Sequence, residues 1–152
     1  MADHDFKKFP ELSNKQMEQF GFQSPHKQIK EDFQATVVRV HDGDTITLET
    51  DFRDFKFPLR FLDIDSKELG EGGEEAAEYV KRRLEGENVE IRINNKNRVD
   101  KYGRLLGHVF HSGSNVGNDE LRLGLAVEFG RRQEAQLPNL TKELNMKKWL
   151  ST

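Results

Sequence analysis

The 152-residue chain contains no cysteine, which excludes disulfide frameworks, thiolate metal sites and thiol nucleophiles. It has no apolar run approaching the roughly 20 residues that a membrane-spanning helix needs. It also lacks a surplus of positive charge: 24 Lys+Arg stand against 27 Asp+Glu, a formal net charge of −3, so the strongly basic composition of many nucleic-acid binders is absent. Hydrophobic residues make up only 34%, enough for a modest core because the Phe, Val, Ile and Leu are clustered. The length points to one domain, or one domain with tails. No signal-peptide apolar region follows Met1, where residues 1–20 are polar with scattered Phe. The chain is therefore expected in the cytoplasm if it is complete, and outside the cell if a leader has been removed.

Charge divides the chain. Residues 34–130 hold 14 basic and 19 acidic side chains, while residues 131–152 hold 5 basic and 2 acidic. The middle block reads as the domain, residues 1–33 as an N-terminal extension and residues 131–152 as a C-terminal helical tail. Within the block, residues 34–41 (QATVVRVH) are rich in β-branched residues and read as a strand. Residues 45–50 (TITLET) alternate Ile46 and Leu48 with polar residues, the period of a half-buried strand. Asp42-Gly43 between them is a hairpin signal, because glycine tolerates positive φ.

Residues 55–64 (FKFPLRFLDI) predict a third strand with Phe55, Phe57, Leu59 and Phe61 on one face, and Pro58 assigns it an edge or bulged position. Residues 74–84 (EEAAEYVKRRL) predict a helix, acidic at its start and basic at its end, with Ala76, Ala77, Val80 and Leu84 as its apolar face. Strands over 88–93 and 104–111 and a helix over 118–126 follow. Five short strands with a helix after the third predict an α+β, β-rich fold: a five-stranded OB-fold barrel with helices packed on it. Residues 13–20 and 140–150 predict amphipathic helices in the two extensions, surfaces for a protein partner or for self-association.

Three polar segments carry the chemistry. Asp42-Gly43-Asp44-Thr45 reads alone as a tight turn. It becomes half of a hard-cation site if a second acidic segment joins it. Asp65-Ser66-Lys67-Glu68 provides one: the end of the third strand in a meander returns toward the start of the second, so Asp65 can approach Asp44. Arg60 lies on that third strand. Asp100-Lys101-Tyr102-Gly103-Arg104 reads as a polar turn in which Arg104 is an always-charged fork suited to phosphate oxygens.

DGDT, Arg60 with Asp65-Ser66-x-Glu68, and DKYGR, in this order and spacing, resemble the staphylococcal nuclease (thermonuclease-like) family over about residues 34–129. The resemblance implies an OB-fold barrel and a Ca²⁺-dependent phosphodiesterase, a metal-dependent endonuclease that cuts DNA and/or RNA and leaves 3′-phosphates. It implies Asp44, Asp65 and the Ser66 backbone carbonyl as metal ligands, and Asp42 as an acid of the outer shell. Glu68 falls at the general-base position, Arg60 and Arg104 where the scissile phosphate is clamped, and Lys101 and Tyr102 where a terminal phosphate is held.

The chain departs from the family pattern in three ways. Ser66-Lys67 replace Thr-Pro, the segment before the helix is acidic (Glu71, Glu74, Glu75), and two substrate-stacking tyrosines have no match, Phe129 being off by one position. A catalytically silent OB-fold module that binds nucleic acid or protein is the alternative reading. A third is a nuclease of toxin or mobile-element type restrained by a partner.

Overall fold

The computed structural model describes residues 4–66 and 73–130. It begins with helix α1 (Asn14–Phe20), whose N-cap Ser13 accepts the Gln16 amide while the Gln16 side chain accepts the Ser13 amide. This reciprocal capping satisfies two donors that a helix start leaves orphaned. Strand β1 (Phe33–Asp42) runs through a tight turn into antiparallel β2 (Thr45–Glu49), which pairs with β3 (Phe57–Phe61). A short β4 (Ile64–Ser66) and helix α2 (Gly73–Leu84) follow. Then come β5 (Asn88–Arg92), β6 (Leu105–His111), the short β7 (Ser114–Asn115), helix α3 (Val116–Arg122) and β8 (Ala126–Glu128).

The strand order β3-β2-β1-β5-β6, with β3 also parallel to β6, closes the sheet into the five-stranded barrel of an OB-fold. Val37, Ile46, Leu48, Phe57, Leu59, Val89, Ile91, Leu105 and Val109 fill it, each at most 2% exposed. Their alternation along the strands follows the period-2 pattern of a sheet with one face in the core. Helix α2 covers the core with Ala76, Val80 and Leu84; Ala77 is only half-buried.

Several local expectations are corrected. The third strand stops at Phe61. Leu62 and Asp63 turn the chain, Asp63 with φ 68°, and β4 leaves the barrel to pair with β8. Pro58 does not mark an edge: β3 has neighbours on both sides. Pro58 faces Thr47 of β2, one residue before pairing with β6 begins at Leu59, so its missing N–H falls at the end of that ladder. The helix expected over 118–126 starts at Val116 and ends at Arg122, because Gly124, with φ 74°, turns the chain into β8. The helix expected over 140–150 lies outside the described residues, as do Lys67, Glu68 and Glu71. Among the described residues no helix is long and apolar enough to cross a membrane.

Candidate active site

The turn between β1 and β2 pairs Asp42 with Thr45 and leaves Gly43 and Asp44 at its tip. The Asp-Gly hairpin pattern predicts a positive φ at Gly43, but Gly43 is not among the left-handed residues. It is needed for space. A Cβ there would stand 2.6 Å from the Ser66 Cβ and 2.8 Å from the Ala76 Cβ, contacts that no real Cβ makes. The turn is thus packed hard against β4 and α2, which brings the two acidic segments together.

Asp44 Oδ2 accepts the Ser66 amide at 2.9 Å and the Ser66 hydroxyl at 3.0 Å, and Oδ1 accepts the Thr45 hydroxyl at 3.1 Å. Arg60 lies between the acids. Its Nη2 donates to Asp65 Oδ1 at 2.5 Å and stands 3.5 Å from Asp44 Oδ2. Its Nη1 donates to the carbonyls of Phe61 and Ile64 at 2.6 and 2.7 Å. That fork fixes Arg60 on the corner where β3 turns into β4. Burial works to raise the Asp44 pKa, but the Arg60 charge and the bonds from Asp42 and Ser66 outweigh it, leaving it below the ordinary value. Asp42, whose Oδ1 accepts the Asp44 amide at 3.0 Å, is pushed up by burial and by its hydrogen bond to Asp44 and the charge there. Asp42 is therefore the member of the pair that holds a proton more readily, and Asp44 the one held as an anion.

Arg104 approaches from the loop just before β6. Its Nε donates to Asp100 Oδ2 at 2.8 Å, and its Nη1 reaches the Thr45 hydroxyl at 3.4 Å, next to Asp44. Asp100 also accepts the Tyr102 and Arg104 amides, at 2.9 and 2.8 Å. One carboxylate thus shapes the whole loop, a role that a run of charged residues in sequence does not reveal. Tyr102, 62% exposed, lies 5.4 Å from the Arg104 guanidinium carbon and 5.2 Å from Lys101 Nζ.

A cleft of about 740 Å³ gathers Asp42, Asp44, Arg60, Asp65, Ser66, Lys101, Tyr102 and Arg104. It also takes in Phe129, whose exposed ring lies 5.7 Å from the Arg60 guanidinium carbon. The β4–β8 ribbon puts it there: Phe129 donates its amide to Asp63 O at 2.9 Å, just past the paired residues Ile64 and Glu128.

Three histidines lie outside this cleft. His41 bonds Thr47 at 2.6 Å, and His108 and His111 have separate partners in Asp63 and Glu87. Glu120 on α3 was not singled out by any motif, yet it is fully buried beneath the Gly43 turn. Neither of its oxygens has a hydrogen-bond partner among the described residues. Burial, then the charges of Asp44 and Asp42, push its pKa up to about 9.

A sequence profile described as "Staphylococcal nuclease homologue" matches residues 58–148, more than half of the chain. The chain belongs to the staphylococcal nuclease family. It is 32% identical over 111 residues to "Endonuclease YncB" of Bacillus subtilis (strain 168), covering 68% of this chain and 52% of that protein. It is 32% identical over 104 residues to "SPbeta prophage-derived endonuclease YokF" of the same strain, covering 64% of this chain and 34% of that protein. An uncharacterized protein of Bacillus anthracis is 28% identical over 104 residues, covering 64% and 48% of the two chains. The chain thus spans about half the length of YncB and of the anthracis protein, and about a third of YokF. The staphylococcal nuclease profile begins at Pro58, so it takes in Arg60, Asp65 and the Lys101–Arg104 loop. Asp42 and Asp44 lie upstream of it and reach the cleft through the β1–β2 turn.

Proposed function

We propose that this domain is a calcium-dependent nuclease that hydrolyses phosphodiester bonds of DNA and/or RNA by water attack and leaves 3′-phosphates. The observation that carries the proposal is Arg60 standing between Asp44 and Asp65 while Arg104, just before β6, reaches the Thr45 hydroxyl beside them. Membership of the staphylococcal nuclease family supports it, and the two relatives named as endonucleases favour cleavage within a strand.

The donor set suits a hard divalent cation. Two carboxylates converge on one cationic nitrogen, with a serine beside them. Among the described residues no group of three or more acids or histidines forms a closed cage; an open site of two carboxylates, completed by waters and the Ser66 carbonyl, matches the oxygen chemistry of Ca²⁺. The cleft lining also asks for such an ion: five aspartates face Arg60, Lys101 and Arg104, a balance that repels a polyanion until two further positive charges are added. Bound there, Ca²⁺ would supply Lewis-acid charge to the phosphate oxygens. Asp44 and Asp65 would hold it, with Asp42 bracing Asp44 from behind.

The protein's own groups perform the rest. Hydrolysis concentrates negative charge on the non-bridging phosphate oxygens, and Arg60 and Arg104 are preorganised to offset it, each held in direction by an aspartate. Glu68, which follows Ser66 by two positions, takes the proton of the attacking water as general base. Lys101 and Tyr102 hold a neighbouring phosphate. Tyr102 and Phe129 present exposed rings in the cleft lining, to which bases can stack.

Cleavage of single-stranded DNA and RNA with Ca²⁺, with Mg²⁺ and with EGTA, beside Glu68→Ala and Arg104→Ala, tests this reading. Calcium-dependent cutting lost in both variants is expected. Nucleic acid bound but left intact under every condition would overturn it in favour of a silent binding module.

A further inference from the structure

The loop that carries Lys101, Tyr102 and Arg104 is braced by a segment outside the family-matched region. Arg98, at the base of the loop, is 3% exposed. Its Nη1 donates to the Leu12 carbonyl at 2.7 Å, and its Nε and Nη2 both donate to the Ile29 carbonyl. The Arg98 carbonyl in turn accepts the Leu106 amide at 2.8 Å, and Val99 bridges to Leu105, so the base of the loop is tied to β6 and to the N-terminal segment at once. Asn14 Nδ2 adds a bond to the Asn95 carbonyl at 2.7 Å.

The tip of the loop is held as well. Gly103, with φ 85°, lies under the Phe9 ring so closely that a Cβ there would stand 2.7 Å from Phe9 Cδ1. Only glycine serves at this position, for both its backbone angle and its contact. Phe9 is itself fixed: its amide donates to Asp5 O at 2.9 Å and its carbonyl pairs with the His4 ring at 2.7 Å. Gly103 separates Tyr102 from Arg104. A ring seated on it therefore sets the direction of both neighbours, while Asp100 accepts both their amides.

We propose that the N-terminal segment is a positioning element of this site: Phe9 seats Gly103 and thereby aims Tyr102 and Arg104 into the cleft, with the Arg98 anchor holding the loop base in register. In its catalytic consequence this rests on the nuclease reading above; the mechanical coupling does not. The physical basis is that small misplacement of a phosphate-clamping group is costly in rate even when the group is present.

The test uses the full chain with Phe9→Ala, Phe9→Leu as the conservative rescue, and Phe22→Ala as a control on the same segment, since Phe22 is 83% exposed. Three quantities are measured: amide hydrogen exchange at Tyr102, Gly103 and Arg104 against Ile46, Leu48 and Ile91; kcat and KM on a single-stranded oligonucleotide; and Ca²⁺ binding by calorimetry. In Phe9→Ala we expect faster exchange confined to the loop, a fall in kcat of about tenfold and unchanged Ca²⁺ binding. Phe9→Leu should recover most of both effects, and Phe22→Ala should match the parent. The proposal is overturned if loop exchange in Phe9→Ala equals that of the parent, or if exchange rises evenly across the barrel while kcat per folded molecule is unchanged. Should the parent cut no substrate, the nuclease reading fails, and the exchange pattern alone decides the coupling in the same way.

Discussion

Arg60 and Arg98 are both buried, at 8% and 3% exposure, and both face carboxylates, yet they stand in opposite settings. Arg98 shares Glu11 with Arg53: two cations meet one carboxylate, and the side chains of all three are at most 2% exposed. Arg53 Nη2 bonds Glu11 at 2.7 Å, and its guanidinium lies 5.0 and 4.6 Å from the Phe55 and Phe57 ring centres. Arg60 meets two acids in a cluster whose side chains are 10–17% exposed and open to the cleft. The cluster around Arg98 is closed: Arg98 donates to the carbonyls of Leu12 and Ile29 and Arg53 to Glu11 and the Lys27 carbonyl, while Arg53 Nε and Nη1 are buried with no hydrogen-bond partner among the described residues. The cluster around Arg60 is open and has a negative surplus, so a cation or a phosphate entering the cleft can redistribute its pairs. Similar chemical groups serve as a fastener where solvent is excluded and remain open to a ligand where it is admitted.

The contrast is tested most severely by Glu11→Ala. Without its carboxylate, the closed cluster keeps two buried guanidiniums that have lost their shared anion, and stability should fall by about 3–5 kcal/mol. Urea denaturation reads this directly, and a loss below about 1 kcal/mol would remove the distinction between the clusters. Arg60→Ala should act on chemistry instead. Turnover should fall by about 10²–10³, while calcium affinity is kept or increased, because no internal cation then competes for Asp44 and Asp65. Calorimetry showing that calcium binding disappears together with turnover would count against this division of roles.

Glu120→Gln sharpens the picture from beneath the site. The folded pKa of about 9 lies above the ordinary 4.5. The stability linked to this group is therefore complete below pH 4.5 and declines as pH rises toward 9. In metal-free buffer Glu120→Gln should flatten that decline and add about 3 kcal/mol at pH 7. Parallel pH–stability curves for the two proteins would show that the buried carboxyl is neutralised by some other means.

Much of this molecule can be read from local pattern. The alternation in TITLE and NVEIR places Ile46, Leu48, Val89 and Ile91 in the core, where the structure has them. The charge gradient of α2 matches its direction in the chain, and its apolar spacing faces Ala76, Val80 and Leu84 inward. The convergence of the candidate motifs was legible too: Asp44, Arg60, Asp65, Ser66, Lys101, Tyr102 and Arg104 line one cleft, while Glu68 lies outside the described residues. Less legible was the end of the third strand, because FKFPLRFLDI reads as one apolar run and nothing in its periodicity says that Asp63 turns left-handed. Asp100 was visible as a charge but not as the acceptor of two amides and a guanidinium. Phe129 lay one position from the expected stacking residue, and the β4–β8 ribbon still carries it to the rim of the cleft.

The sequence by itself determined the main barrel strands and helix α2, which residue types could bind a cation or a phosphate, and the family to which they belong. Those properties depend on neighbours a few positions apart, where backbone geometry sets the period. Only the tertiary structure decided that Gly43 is there for space and not for φ, that Arg60 stands between two acids, and that Phe9 covers Gly103. These contacts join positions far apart in the chain: 22 residues separate Ser66 from Asp44, 59 separate Arg104 from Thr45, and 86 separate Arg98 from Leu12. Barrel closure brings such pairs together at distances that no local pattern encodes.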